Sequence, residues 1–292
     1  MHEAFSVQVS NVSSVSPKTL WIGLRYSCKL YIDLDTFKAM LTVTQDFLVI
    51  ILTITVALLF RLGLNWLWPW EVRRNHNDLI GWQLSVLGTT YAVILGFMLY
   101  TVWTDLGTAN LNVDLEANAL VNVYLLANGL PAEQRVRLQQ LARSYADAAI
   151  DHDWPQMFND QIPEGTVQID ADMWNTLMSV KVASPNEITA EDHALYELSS
   201  LTEHRRTRIL QSTSRLPSVL WCVLIIGGAV TIASSCMFGS ANTGLHIFQV
   251  FAFSLLVSLV LVAIGNINRP FQGTVRVSNY AFQRAQQNMQ GR

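Results

Sequence analysis

DLIGWQLSVLGTTYAVILGFMLYTVWTDLGTANLNVDLEANALVNVYLLANG, residues 78–129, is the stretch whose reading decides the fold. No proline lies between Pro69 and Pro131, so one helix of about 50 residues is expected, roughly 75 Å at 1.5 Å per residue. That is more than twice the thickness of a bilayer core. Asp78 is the expected N-cap, and Asn128-Gly129-Leu130-Pro131 the expected stop, with glycine left-handed and proline barring continuation. Leu79 to Trp103 carries no charge, whereas the part from Asp105 onward is polar and amphipathic. A helix of this kind crosses a membrane and continues into water.

Within the uncharged half, Gly81, Ser85, Gly88, Thr89, Ala92 and Gly96 fall inside about 100° of helical arc. The bulky Leu84, Leu87, Tyr91, Ile94, Phe97 and Met98 lie largely outside it. Gly88-xxx-Ala92-xxx-Gly96 is a small-residue ladder, which lets backbones approach closely in lipid. Two readings stay open: ordinary helix packing, or a thin wall around a pore or sliding seam. In the polar half, Leu106, Ala109, Val113, Ala117, Leu120 and Tyr124 form one apolar stripe that requires a partner outside the membrane. Gly107 and Asn110 offer a break near the surface, glycine costing about 1 kcal/mol relative to alanine.

The rest of the 292 residues supports a membrane protein. Charged residues make up 14%, where soluble domains carry about 25%, and hydrophobic ones 51%. Residues 105–215 hold 16 acidic and 8 basic side chains, a balance of −8 within a total of −3. An acidic extramembrane block argues against nucleic acid as a partner, since that binding needs a basic face. Cys222 and Cys236 lie 14 residues apart in one expected helix, about 21 Å and beyond disulfide reach. With Cys28 they read as reduced structural thiols.

The expected architecture is an all-α membrane protein with four transmembrane helices and a helical cytosolic block between spans 2 and 3. Residues 1–40 form a poorly ordered extension, in which Met40 is a candidate translation start. Spans 1 and 2 occupy 41–103. The first runs from Phe47 past Arg61 to an aromatic belt of Trp66, Trp68 and Trp70, with Arg61 snorkelling or facing protein. The block fills 104–215. It has one helix from Pro131 to Trp154, stopped by Pro155, a loop over 155–168, a helix from Asp170 to Val182, and a last helix capped within Thr189–Asp192. Spans 3 and 4, Leu216–Phe238 and Leu245–Ile267, make a hairpin within 216–268, and 269–292 is a polar cytosolic tail. Arg205, Arg206, Arg208, Arg215, Arg269, Arg276 and Arg284 outweigh Arg61, Arg73 and Arg74 across the membrane, which puts the block and both termini inside.

The layout of two spans, a helical block, two spans and a tail resembles the bestrophin architecture. It is similar in particular to the bacterial bestrophin-like membrane proteins of unknown function. The residues carrying the resemblance are Leu95-Gly96-Phe97, Glu116-Ala117-Asn118-Ala119-Leu120, Leu130-Pro131, Tyr145, Asp153-Trp154-Pro155, Arg205-Arg206 and Asn268-Arg269-Pro270-Phe271-Gln272-Gly273. The resemblance implies residence in a bacterial inner membrane, a homo-oligomer (a pentamer), and an ion channel for inorganic ions whose second span lines the pore. Phe271 to Arg276 lacks the acidic run that binds calcium in eukaryotic bestrophins.

No catalytic signature is present: no nucleophile elbow, zincin helix, phosphate loop or dinucleotide turn, so neither an enzyme nor a cofactor is expected. Asp151-His152-Asp153 cannot converge on one metal from a regular helix, and His193 and His204 are about 16 Å apart along theirs. Hydroxyls in the spans are expected to bond back to their own helices. Arg269, Pro270 and Phe271 are read as a membrane-interface motif: proline ends span 4, arginine meets the helix C-terminus, and Phe271 tucks under the block. The alternative to a channel is a non-conducting scaffold or sensor whose acidic block binds a partner.

Overall fold

Four segments are long and apolar enough to cross a membrane, and they set the frame of the molecule. The structure, a computed structural model, describes residues 43–181 and 183–290. The expected extension over residues 1–40, with Cys28, lies outside the described residues. Asp46–Arg292 forms one unit; of the other, Met1–Gln45, only the start of the first helix is described. The elements are α1 Val43–Leu67, α2 Trp70–Arg74, α3 Asn77–Leu126, α4 Ala132–Ala148, α5 Trp154–Phe158, α6 Val167–Met178, α7 Pro185–Thr213, α8 Ser218–Cys236, α9 Thr243–Ile267 and α10 Tyr280–Gln290. No strand occurs among the described residues.

Helix α3 runs unbroken through Gly107 and Asn110 for 50 residues. Its termini differ from expectation. The N-cap is His76, without a side-chain cap, and Asp78 sits inside the first turn. Asn77 is engaged elsewhere, donating to Gly239 O and accepting from Gly239 N, which pins α3 to the loop before α9. At the other end the helix tightens into a 3-10 turn, Ala127–Gly129, and glycine is not left-handed there. Gly129 is needed for another reason: a Cβ on it would stand 2.5 Å from Ala190 Cβ, so α7 crosses too closely for a side chain.

Two cores share α3. In the bundle, Tyr91, Leu95 and Val102 pack with Leu224, Ile232, Val250, Val257 and Ile264 of α8 and α9. Apolar burial between helices gains little in lipid, so close approach and hydrogen bonds decide the packing. Both are found where α8 crosses Tyr91. The phenol donates to Leu224 O at 2.8 Å, and a Cβ on Gly227 or Gly228 would meet the Tyr91 ring or hydroxyl at 2.8 Å. The intrachain close approach thus uses glycines of α8 against a bulky residue of α3.

In the extramembrane block, the second half of α3 packs with α4, α6, α7 and α10 around Leu120, Leu138, Leu177, Leu198 and Leu201, all fully buried. Here water is the alternative, and each such leucine stabilises by about 1.5–3 kcal/mol. Several boundaries are corrected. Pro155 does not stop a helix: α4 passes through a π-helical turn, Ala149–Asp153, and Pro155 lies in the first turn of α5, where its missing N–H costs nothing. Helix α6 begins at Val167. Helix α7 begins at Pro185, capped by Ser184 in a capping box with Glu187, ahead of the expected Thr189. The tail carries α10, whose Ala281, Phe282, Ala285 and Met289 join the block core.

Candidate functional site

The small-residue face of α3 is bare. Ser85, Thr89, Ala92 and Gly96 are exposed, Gly81 and Gly88 half-buried. A Cβ added at Gly88 or Gly96 would meet nothing within 4 Å, and one at Gly81 would touch only the Phe238 ring. The ladder Gly88-xxx-Ala92-xxx-Gly96 therefore packs against no other described part of its own chain. On a helix of 100° per residue the same line continues into the block as Trp103, Asn110 and Asp114, with Trp103 and Asn110 exposed and Asp114 half-buried. Span hydroxyls bond back along their helices, as with Ser85 to Gly81 O, Thr101 to Phe97 O, Thr231 to Gly227 O and Ser254 to Val250 O.

Beyond the membrane, five charged side chains meet inside the block. Arg208 is fully buried on α7; its Nε donates to Glu116 Oε2 at 2.8 Å, and Nη2 donates to Glu116 Oε1 at 3.1 Å and Asp153 Oδ2 at 2.8 Å. Tyr145 donates to Glu116 Oε1 at 2.7 Å, and the Trp154 ring lies 5.4 Å from the guanidinium carbon. Asp153 also accepts from Gly165 N and from the Thr166 hydroxyl, which in turn accepts from Arg205 Nε. Arg205 reaches Asp170 at 3.7 Å, and Asp170 accepts from Thr202. Helices α3, α4, α6 and α7 are thereby joined through one polar cluster. Burial works against the Arg208 charge, but Glu116 and Asp153 outweigh it and raise its pKa. Burial, reinforced by Glu116, holds the Tyr145 phenol well above 10.0. Burial likewise pushes the Asp170 carboxyl up, against the pull of Thr202 and Arg205.

This cluster corrects one expectation. Arg205 and Arg208 are buried inside the block and do not anchor it to lipid; Arg206, next to them on α7, is exposed. Asp153 points inward while Asp151 and His152 point to solvent, so the three do not converge. His204 is occupied with Asn112, exchanging Nδ1···Oδ1 and Nδ2–H···O contacts of 2.8 Å between α7 and α3.

The interface motif sits between block and bundle. Phe271 is buried, edge-on to Trp154 at 6.0 Å. Pro270 follows the end of α9, Asn268 accepts from Leu216 N and so ties α9 to the start of α8, and Arg269 donates to Gln272. Gln272 donates to Met157 O and Asp160 Oδ1. That bond from Gln272, then the Arg215 ion pair at 2.6 Å, lowers the Asp160 pKa. Gly273 is left-handed at φ 73°, and Val277 N closes the loop on Pro270 O.

At the far end of the bundle Arg61 faces protein, its Nε donating to His246 Nδ1 at 3.1 Å. That contact fixes the His246 tautomer with the proton on Nε2, directed at Ser235 O. Arg73 donates to Cys236 O and Asn65 Oδ1. Arg73, without a carboxylate partner among the described residues, is tolerable there because carbonyls at the C-terminus of α8 carry partial negative charge. His246 is buried and Gln249, one turn on, is exposed.

A family model described as a bestrophin-like domain matches residues 51–282. Among solved structures, a bacterial bestrophin homologue from Klebsiella pneumoniae matches at a TM-score of 0.63 and 12% identity, covering 83% of this chain and 97% of that one. A single-residue variant of the Klebsiella pneumoniae homologue matches at 0.64 and 12%, covering 83% and 98%. At such identities the likeness shows the fold. No curated protein matches the chain.

Proposed function

The chain belongs to the bestrophin-like family, and from that premise we propose that it assembles as a homo-oligomer in a bilayer, a pentamer by family resemblance, and conducts inorganic ions along an axis lined by α3. The observation carrying this reading is the bare face of α3. Every other helix of the bundle either packs against its neighbours or exposes bulky apolar side chains suited to lipid, such as Leu52, Ile226 and Phe248. Between Gly81 and Gly96 the α3 line instead exposes glycine, alanine and hydroxyls, whose backbone dipoles and oxygens can replace water around an ion. Gly81, Ser85, Gly88, Thr89, Ala92 and Gly96 are the proposed lining.

The block and both termini lie in the cytoplasm of a bacterial inner membrane under this proposal. Removing the buried arginines from both sides leaves Arg206, Arg215, Arg269, Arg276 and Arg284 against Arg74, so the positive bias survives. Cations are the favoured ions, because a balance of −8 per block repeats around the axis and Asp114 lies on the lining face. Purified protein in a planar bilayer tests the channel directly. Current that Gly96→Leu abolishes is the expected result; absence of current from wild-type oligomers leaves a scaffold whose acidic block binds a partner.

A further inference from the structure

At the end of the bundle remote from the block, two arginines lie buried with no carboxylate paired to them. Arg61 is 6% exposed and Arg73 1%. The ion pairs among the described residues all lie elsewhere, and the acids of this end, Glu71 and Asp78, are exposed. Three successive turns of α1 build the place. Ala57 O accepts from Cys236 Sγ, Arg61 Nε donates to His246 Nδ1, and Asn65 Oδ1 accepts from Arg73 Nη2. The end of α8, the start of α9 and α2 thus converge on one face of α1. Arg73 Nη1 holds Cys236 O and His246 Nε2 faces Ser235 O, consecutive carbonyls at the end of α8. Those carbonyls offset part of the Arg73 charge. Arg61 meets only a neutral imidazole. Burial first, then the Arg61 charge, lowers the Arg73 pKa, which marks the two guanidiniums as neighbours.

The donors left over belong to Arg61. Its Nη1 and Nη2 make no hydrogen bond among the described residues, and neither is sealed in as Arg73 Nε is. Together they offer two parallel N–H groups, the fork that matches two oxygens of an oxyanion. Asn65, bonded to Arg73, is exposed, so the pair lies just beneath the surface. Trp66 and Trp68, shortly beyond Arg61, mark the level of lipid head groups. We propose that Arg61 and Arg73 bind a phosphate, Arg61 holding two of its oxygens through Nη1 and Nη2 and Arg73 adding a second positive charge behind it. The phosphate supplies the counter-charge that no side chain here provides, and buried charges persist when paired. A halide would engage the fork through a single centre, whereas two oxygens take both prongs. The same chemistry comes from a phospholipid or from a free phosphate, and the head-group level is where lipid phosphates are concentrated. The site lies within one chain and depends on neither assembly nor conduction.

The test uses the full-length protein, delipidated in detergent. Inorganic phosphate, compared with chloride at matched ionic strength, should raise the melting temperature saturably. Native mass spectrometry should show phosphatidylglycerol and phosphatidylcholine, which both carry a phosphate, retained over diacylglycerol, which carries none. Arg61→Gln keeps a donor for His246 but removes the fork, and should weaken both responses at least about tenfold, as loss of a charge-assisted bidentate contact implies. Arg61→Lys keeps the charge without the fork and should fall between Arg61→Gln and wild type. Arg74→Gln removes an exposed charge from the same end and should leave both responses unchanged. Wild-type protein that neither responds to phosphate beyond chloride nor prefers phospholipid to diacylglycerol overturns the proposal, and this comparison stands even where a variant does not fold. Responses undiminished in folded Arg61→Gln or Arg61→Lys overturn it as well. Retention of phospholipid without a response to inorganic phosphate supports the site and assigns it to the membrane; the reverse supports it with a soluble phosphate as ligand.

Discussion

Replacing Arg208 with methionine probes the centre of the block. The guanidinium makes two bonds to Glu116 and one to Asp153, with no exposure to water. Methionine fills much of the volume and removes the charge, leaving two buried carboxylates facing each other. Breaking a buried pair from one side costs about 3–5 kcal/mol, against a typical total stability of about 5–15 kcal/mol. Asp153 retains Gly165 N and Thr166, so most of the loss falls on Glu116, which keeps only Tyr145. Glu116→Leu combined with Arg208→Met removes both charges and should recover a large part of the loss, since apolar replacements of buried pairs are often neutral or stabilising. Thermal unfolding of the detergent-solubilised protein, followed by near-ultraviolet circular dichroism, reads this out through Trp154 and Trp174 in the block. A single variant within about 1 kcal/mol of wild type, or a double variant no better than the single one, would refute the argument.

Three further outcomes are expected. Gly228→Leu should destabilise each chain by about 1–3 kcal/mol or more through collision with Tyr91, whereas Gly88→Leu and Gly96→Leu should leave single-chain stability intact and disturb assembly or conduction; denaturation and native mass spectrometry separate the two effects. Tyr145→Phe should cost about 1–2 kcal/mol at neutral pH. Because the folded phenol titrates above 10.0, wild type binds more protons folded than unfolded in that range, so its stability should fall as pH rises past about 10, and the Phe variant should lack that slope in an alkaline melt. Reversal potentials in a potassium chloride gradient should shift toward the potassium equilibrium potential, and a shift toward chloride would contradict the electrostatic argument.

The frame of this fold was legible because hydropathy and proline placement act locally. Four apolar segments and the proline-free run from Pro69 to Pro131 needed no tertiary information. Helix α10 was also readable, since Ala281, Phe282, Ala285 and Met289 share one helical face, but the polar composition of the tail hid it. The Ser184–Glu187 box was a valid start signal that competed with a second one at Thr189. The ionic cluster is different in kind. Glu116 interrupts the face of Val113, Ala117 and Leu120, and Arg205 and Arg208 share the face of Leu201, so each was visible as a charge in a buried position. Their pairing joins residues 92 apart, and nothing local specifies it. Composition suggested membrane anchors for these arginines because it counts charges without seeing burial. The openness of the α3 face was equally beyond local reach, since small residues look alike whether or not something packs on them.

The continuity of α3 makes it a lever. Its 50 residues span about 75 Å without a proline, glycine-induced break or bulge, and its two halves are bolted to separate cores. A tilt of about 5° around the middle swings each end by about 3 Å in opposite directions. Displacement of the Gly88 region in the membrane is therefore mirrored at Glu116 and Leu120, where the block holds the rod through Arg208 and Asn112. A molecule that binds the block and resists that swing acts on the membrane face from a distance, with no element in between that has to unfold or bend.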